Sequence, residues 1–254
     1  MSLPFDQAGE GPAVVLLHAG VADRTMWAEH LQPLAREGFR VLAFDLPGFG
    51  EAGVTPGEQA PWLDVLQAMD AAGIERAALV GNSYGGAVAL RVAAVAPERV
   101  WALVLVSTPA PGLEPSEELE AAWELEEAAL ERGDLDAAVA AVADTWAQPG
   151  PVRERVAEMQ RRAFAVQADA DVSEAPDPVE DLAALEQLDV PALVTAGELD
   201  MSDFLEGARR LAEALPSARH VVIEGAGHLA PLEAPDAFRE LVLAELRPRA
   251  AELA

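Results

Sequence analysis

Six short apolar runs, set apart by longer stretches of helical period, limit this chain to few architectures. "AVVLLH" (13–18), "RVLAF" (40–44), "AALVGN" (77–82), "WALVLVS" (101–107), "PALVTAG" (191–197) and "HVVIEG" (220–225) have strand length and little polar alternation. That pattern belongs to strands covered on both faces, where neither side can carry polar groups. Between them lie amphipathic helices. Phe204, Leu205, Ala208, Leu211, Ala212 and Leu215 share one helical face, with Asp203 as the expected N-cap and Pro216 after the last turn. Phe238, Leu241, Val242 and Leu246 form a second such face. Alternation of this kind predicts an α/β fold: a mostly parallel sheet flanked by helices, with right-handed crossovers. A chain of 254 residues is long enough to bury such a core as one large domain.

One region breaks the rhythm. From 112 to 178 there is helical period and no strand candidate, with Leu135, Val139, Val142 and Trp146 on one stripe and Val152, Val156, Met159, Ala163 and Val166 on another. Pro109, Pro111 and Gly112 lead in, and Pro176 and Pro178 close the segment. It is strongly acidic and supplies much of the net charge. Each stripe needs an apolar surface to bury against, so 112–178 is expected to be an all-helical cap over a core made of 1–111 and 179–254.

Gly81-Asn82-Ser83-Tyr84-Gly85 matches G-x-S-x-G, preceded by "AALV" and followed by "GAVALRVAAVAP". A serine nucleophile projecting from a tight strand-to-helix turn needs glycine two residues to either side, where a side chain would collide with strand or helix. The motif alone is weak; its strand–turn–helix setting makes Ser83 the candidate nucleophile. Such a serine needs a base and an orienting acid, in chain order Ser, acid, His. His228 lies in "EGAGHLAPLEAP", a loop after the last strand, where catalytic groups of open α/β sheets collect. His30 reads as a solvated helix residue, His220 as structural and His18 as a loop organiser. "VTAGELDMSDF" offers Glu198, Asp200 and Asp203; Asp200 stands in the turn itself and is the expected acid. In "LLHAGVADRTMW", the turn His18-Ala19-Gly20 is placed to supply a backbone N–H, from Gly20 or Val21, which with that of Tyr84 would form an oxyanion hole.

With these pieces in order, the sequence resembles the α/β-hydrolase fold family over nearly its whole length. The likeness rests on "LLHAG", "AFDLPGFGEAG", "LVGNSYGGAVALRVAAVAPERV", "LVTAGELD" and "GAGHLAPLEAPDAF". It implies Ser83 as nucleophile, Asp200 as acid, His228 as base, and Gly20 with Tyr84 as oxyanion donors. Ala19 departs from the family's His-Gly pair, and the N-terminal strands look abbreviated.

Gly48-Phe49-Gly50-Glu51-Ala52-Gly53 is a literal G-x-G-x-x-G after a strand. A dinucleotide site needs a helix starting inside the motif, and Pro56, Gly57 and Pro61 forbid one. The loop that resembles the family's accounts for these glycines. No cluster has metal-ligand spacing, so neither metal nor cofactor is expected.

Composition narrows the partners. The net charge of −27 disfavours nucleic acid and anionic membrane. There is no cysteine, which excludes disulfides, thiolate metal sites and cysteine nucleophiles. With no signal-like leader and no apolar run near the ~18–20 residues of a membrane span, a soluble cytoplasmic protein acting on a small molecule is expected.

A serine at the elbow argues for acyl chemistry, foremost hydrolysis of small to medium, mostly uncharged carboxylic esters. "GNSYGG" is similar to the elbow of meta-cleavage-product hydrolases, which makes carbon–carbon bond hydrolysis or enol-lactone hydrolysis the alternative. Those substrates are anionic, and Arg161 and Arg162 are the cap arginines available to them; Leu229 stands where those enzymes tend to have tryptophan. A ligand receptor without turnover is the alternative from another class. Val21, Arg24, Trp27, Trp123, Trp146, Met159 and Leu229 are the candidate substrate-binding residues.

Overall fold

A computed structural model describes residues 3–168 and 170–253. In chain order the elements are β1 (Phe5–Ala8), β2 (Ala13–Leu17), α1 (Ala28–Arg36), β3 (Arg40–Phe44), β4 (Gly57–Gln59), α2 (Pro61–Ala71), β5 (Ala77–Asn82), α3 (Tyr84–Val95) and β6 (Val100–Val106). They continue as α4 (Glu117–Glu131), α5 (Leu135–Trp146), α6 (Pro151–Gln167), β7 (Val172–Glu174), β8 (Ala192–Gly197), α7 (Ser202–Ala214), β9 (Ala218–Ile223), α8 (Ala230–Glu233) and α9 (Pro235–Ala250). Among the described residues the main sheet has the order β1-β3-β2-β5-β6-β8-β9, parallel except for β1 against β3.

Alternation along the central strands divides the core in two. Val14, Leu16, Val41, Ala43, Val80, Val104 and Val106 point to the face covered by α1 and α9, where Leu34, Phe238, Val242 and Leu246 meet them. Val15, Leu17, Leu42, Phe44, Leu79, Leu103, Leu105 and Val194 point to the opposite face, packed by Val65 and Met69 of α2, Val88 and Val92 of α3, and Ala208 and Leu211 of α7. A period of two on strands buried on both faces therefore reads as one continuous apolar run.

The strand order reverses between β2 and β5. Chain growth runs outward to β3 on one side and to β6, β8 and β9 on the other, which opens a crevice beyond the carboxyl ends of β2 and β5. Leu17 and Gly81 are paired across that boundary, so the loops that follow them start side by side.

Several expectations need correction. β1, "FDQA", is an exposed antiparallel edge strand and lacks the apolar signature of its neighbours. A short strand, β7, lies inside 112–178 and pairs in parallel with β4, each only three residues long. Asp203 is not the cap of α7, which begins one residue earlier with Met201 at its N-cap position. Instead Asp203 accepts hydrogen bonds from the backbone N–H and hydroxyl of Ser116, each 2.7 Å, and so ties α7 to the start of α4. His30 is fully buried rather than solvated; its Nε2–H donates to the Pro231 carbonyl at 2.9 Å, and its ring meets Phe238 edge-on.

The glycine-rich loop after β3 wraps a buried carboxylate. Asp45 is fully buried, accepts from the backbone N–H of Arg24 and of Glu51 at 2.8 Å each, and pairs with the Arg24 guanidinium. Gly50 has φ +56°, and a Cβ there would be driven into that carboxylate. This contact accounts for the middle glycine of G-x-G-x-x-G, while Gly48 (φ +88°) lies against Val54 and Gln167. Substituting Asp45→Ala leaves both N–H groups without their acceptor and the Arg24 guanidinium with only its solvent-exposed partners, Asp6 and Glu51. Urea denaturation is expected to show a loss of about 3–5 kcal/mol; a change below about 1 kcal/mol would mean that the loop does not depend on the pair.

Candidate active site

Ser83 follows β5 directly and has φ 52° and ψ −116°, a left-handed conformation that side chains other than glycine rarely adopt. Its N–H donates to the Val106 carbonyl at 2.8 Å, and its carbonyl accepts from Ala87 to start α3. A Cβ on Gly81 would strike the backbone of Gly85 and Gly86, and one on Gly85 would strike the carbonyls of Leu17 and His18. Asn82 donates to the carbonyls of Val106 and of His228, 3.2 and 3.1 Å away, and so fastens the elbow to the late histidine loop.

That loop and the turn after β8 approach each other because Gly197 has no side chain; a Cβ there would meet the carbonyls of Ala226 and Gly227. The result is a hydrogen bond from His228 Nδ1–H to Asp200 Oδ1 at 3.0 Å, with Oδ2 at 3.3 Å. Asp200 Oδ1 also accepts from Met201 N–H at 2.9 Å, which fixes the carboxylate. With Nδ1 turned to Asp200, Nε2 is the free edge of the ring. The imidazole sits between Trp146 of α5 and Phe204 of α7, with ring centroids 4.6 and 4.3 Å away. Ser83 and His228 line the same cavity, of about 1280 Å³.

Glu233, which the sequence reading passed over, braces this loop. Its carboxylate accepts from Gly227 N–H at 2.6 Å and from Gln148 N–H at 2.9 Å, joining the histidine loop to the α5–α6 connection.

The turn after β2 brings Gly20 and Val21 to the cavity beside Tyr84. A Cβ on Gly20 would lie 3.4 Å from Tyr84 Cβ. The Ala19 carbonyl accepts from Ala22 N–H at 3.0 Å and from His18 Nδ1–H at 2.8 Å, while His18 Nε2 accepts from Leu46 N–H at 2.9 Å. The imidazole is thus neutral, with its proton on Nδ1, and burial holds its pKa below the ordinary value. Ala19 is fully buried and is not among the positive-φ residues, so alanine serves here without backbone strain. Burial pushes the Tyr84 hydroxyl up to about 12, which keeps it a neutral phenol.

The remaining candidates divide. Trp123, about half exposed, and Trp146 line the cavity. Arg24 does not: it is held by Asp45, Asp6 and Glu51. Trp27 is buried against His30 and Phe238, Met159 against Thr25, and Leu229 lies wholly in the core. None of the four lines the cavity. Arg161 and Arg162 also lie elsewhere, paired with Asp136 and with Asp23 and Glu158. The cavity's arginines are Arg91 and Arg210, paired with Asp177 and Glu206. Arg91 was legible as the lone charge in the apolar run "GAVALRVAAVAP". Gln160, also on the cavity wall, was legible as the polar member of an otherwise apolar helix face. Among the described residues no group of His, Asp or Glu is arranged to hold a metal ion, and no helix is long and apolar enough to cross a membrane.

A sheet with a strained serine at its switch point, a late His–Asp pair and an oxyanion-type turn defines a hydrolase-like class of protein. Comparison with known proteins places the chain more narrowly. The family model described as alpha/beta hydrolase fold matches residues 12–235, and the chain belongs to that family. A thermophilic esterase from Thermogutta terrifontis is 29% identical, with TM-score 0.80, over 98% of this chain and 94% of that one. An enol-lactonase from Burkholderia xenovorans LB400 is 27% identical, with TM-score 0.77, over 96% of each. A 2-hydroxy-6-oxo-6-phenylhexa-2,4-dienoate hydrolase from Comamonas testosteroni is 40% identical over 109 residues, which is 40% of this chain and 38% of that protein. The match thus spans under two fifths of that relative's length.

Burial also holds the pKa of His30 below the ordinary imidazole value. Below about pH 6.5 the unfolded chain takes up protons that buried His18 and His30 refuse. The unfolded state then binds more protons, and stability falls as pH is lowered through that region. Urea unfolding free energies are expected to drop between pH 7 and pH 5, by at most about 1.4 kcal/mol per pH unit for each group. His30→Gln should show a shallower slope than the wild type; an identical slope would contradict the assignment.

Proposed function

We propose that this α/β-hydrolase cleaves carboxylic esters of small to medium, mostly uncharged substrates through an acyl-enzyme. The observation that carries this reading is that the left-handed Ser83 and the Asp200-bound imidazole of His228 line one cavity. Ser83 Oγ attacks the ester carbonyl while His228 Nε2 takes its proton and passes it to the leaving alcohol. Asp200 holds the Nδ1–H tautomer and stabilises the imidazolium. The N–H of Tyr84 and that of Gly20 or Val21 receive the developing oxyanion, each such donor being worth about 10²–10³ in rate. Water enters by the same base and releases the acid. The segment 112–178 acts as a cap, placing Trp146 against the base.

The pairing of both cavity arginines supports uncharged substrates, since Arg91 binds Asp177 through two nitrogens and the charge of Arg210 is already offset by Glu206. The partial likeness to the dienoate hydrolase favours a second reading, carbon–carbon bond hydrolysis, and the full-length likeness to the enol-lactonase favours lactone opening on the same residues.

Ser83→Ala is expected to lower turnover of p-nitrophenyl butyrate by about 10³-fold or more and to abolish labelling by a fluorophosphonate. Undiminished turnover removes Ser83 from the chemistry. Labelling of the wild type without turnover of any ester favours a receptor, and preference for a dienoate favours the second reading.

A further inference from the structure

Gln160 is the single buried polar residue between 112 and 178 among the described residues. It lies on α6 beside Val156 and Ala163, which are buried, and is itself 4% exposed. Its Oε1 has no hydrogen-bond partner. Five other buried side-chain atoms share that condition, on Trp27, His30, Asn82, Ser107 and Thr195; Gln160 alone among these residues lines the cavity. A buried amide oxygen without a partner destabilises a fold, whereas an apolar side chain of the same length does not. Such a group is understandable where a ligand supplies the missing partner.

The chemistry of that partner follows from the donor set. A carboxamide presents an N–H donor and a carbonyl acceptor whichever way it is turned. It matches a neutral group that both donates and accepts. A carboxylate offers acceptors only and would leave the Oε1 unpaired, and the cavity arginines are held by Asp177 and Glu206. We propose that Gln160 is a specificity residue that hydrogen-bonds a hydroxyl or secondary amide carried by the ester substrate, in its acyl or its alcohol part. This rests on the ester-hydrolase reading above and names the substrate class within it.

The test compares matched probes in wild type and Gln160→Met, an unbranched replacement of similar length. The acyl probes are p-nitrophenyl butyrate, p-nitrophenyl 3-hydroxybutyrate and p-nitrophenyl N-acetylglycinate; the alcohol probes are butyl acetate and 4-hydroxybutyl acetate. For at least one polar probe, the ratio of its kcat/KM to that of its plain counterpart is expected to fall fivefold or more in Gln160→Met. The Tm of the unliganded variant is expected to equal or exceed that of the wild type, because an unpaired amide has been removed. Ratios that move less than fivefold for every pair overturn the proposal, and a lowered Tm with unmoved ratios assigns Gln160 to packing. If the wild type hydrolyses none of these esters, the ester reading fails by itself. The same ratios are then read as Kd values from quenching of tryptophan fluorescence, and absence of binding by every polar probe overturns the proposal.

Discussion

The backbone at Ser83 is held where a side chain other than glycine does not go on its own. A left-handed residue of this kind costs on the order of 1–3 kcal/mol and persists only where its surroundings over-determine it. Here the determinants are local and steric. The Ser83 N–H is committed to Val106, its carbonyl opens α3, and Gly81 and Gly85 let strand and helix close to a distance that no Cβ allows. The same closeness places the start of α3 against the end of β2, so the Gly20–Val21 turn and the Tyr84 N–H share one rim. Loosening the elbow would move Ser83 and the Tyr84 N–H away from the Gly20–Val21 turn together, because one backbone contact sets both.

The second half of the site is held by tethers of another kind. Asn82 reaches the His228 carbonyl, Glu233 bridges Gly227 and Gln148, and Gly197 admits the histidine loop to the Asp200 turn. Ser116 on Asp203, Arg162 on Asp23 and Gln167 on the Gly48 carbonyl then fasten the helical segment to the core. Asp23 shows how such a tether is balanced. Burial alone would raise its carboxyl pKa, but hydrogen bonds from Thr25 and Arg162 outweigh that and hold it below the usual range. Charge is thereby spent on fixing the helices in place, close to the imidazole that Trp146 touches.

How much of this was legible in the sequence depends on whether the signal was steric or tertiary. The central strands announced themselves because both faces are buried, and the elbow because its glycines have a geometric reason. β1 was invisible because an exposed edge strand has no apolar run, and β7 because three exposed residues carry no periodicity. His30 looks solvated beside Glu29 and Gln32, but Trp27 and Leu34, three and four residues away, share its buried face, and its side chain turns inward to the Pro231 carbonyl. Asp203 looked like a helix cap because Asp before an apolar helix usually is one; its partner, Ser116, lies 87 residues earlier in the chain. The substrate-binding candidates divided for a related reason. Proximity in sequence to the oxyanion turn says nothing about direction, and Arg24 and Trp27 point into a buried ion pair and the core.

The net charge of −27 bears on selectivity less through its total than through how the arginines are used. Every arginine lining the cavity already has a carboxylate partner, while Glu114, Glu126 and Glu174 line the same cavity. Burial raises the pKa of Glu126, as expected for a carboxylate whose desolvation no cation offsets. An anionic substrate entering this space would lose hydration and meet like charge before reaching Ser83. A neutral ester loses less, and the tryptophans of the wall favour its apolar part. The same physics suits the role proposed for the buried neutral amide of Gln160. It can recognise a polar group on a neutral substrate without adding to a field that is already negative.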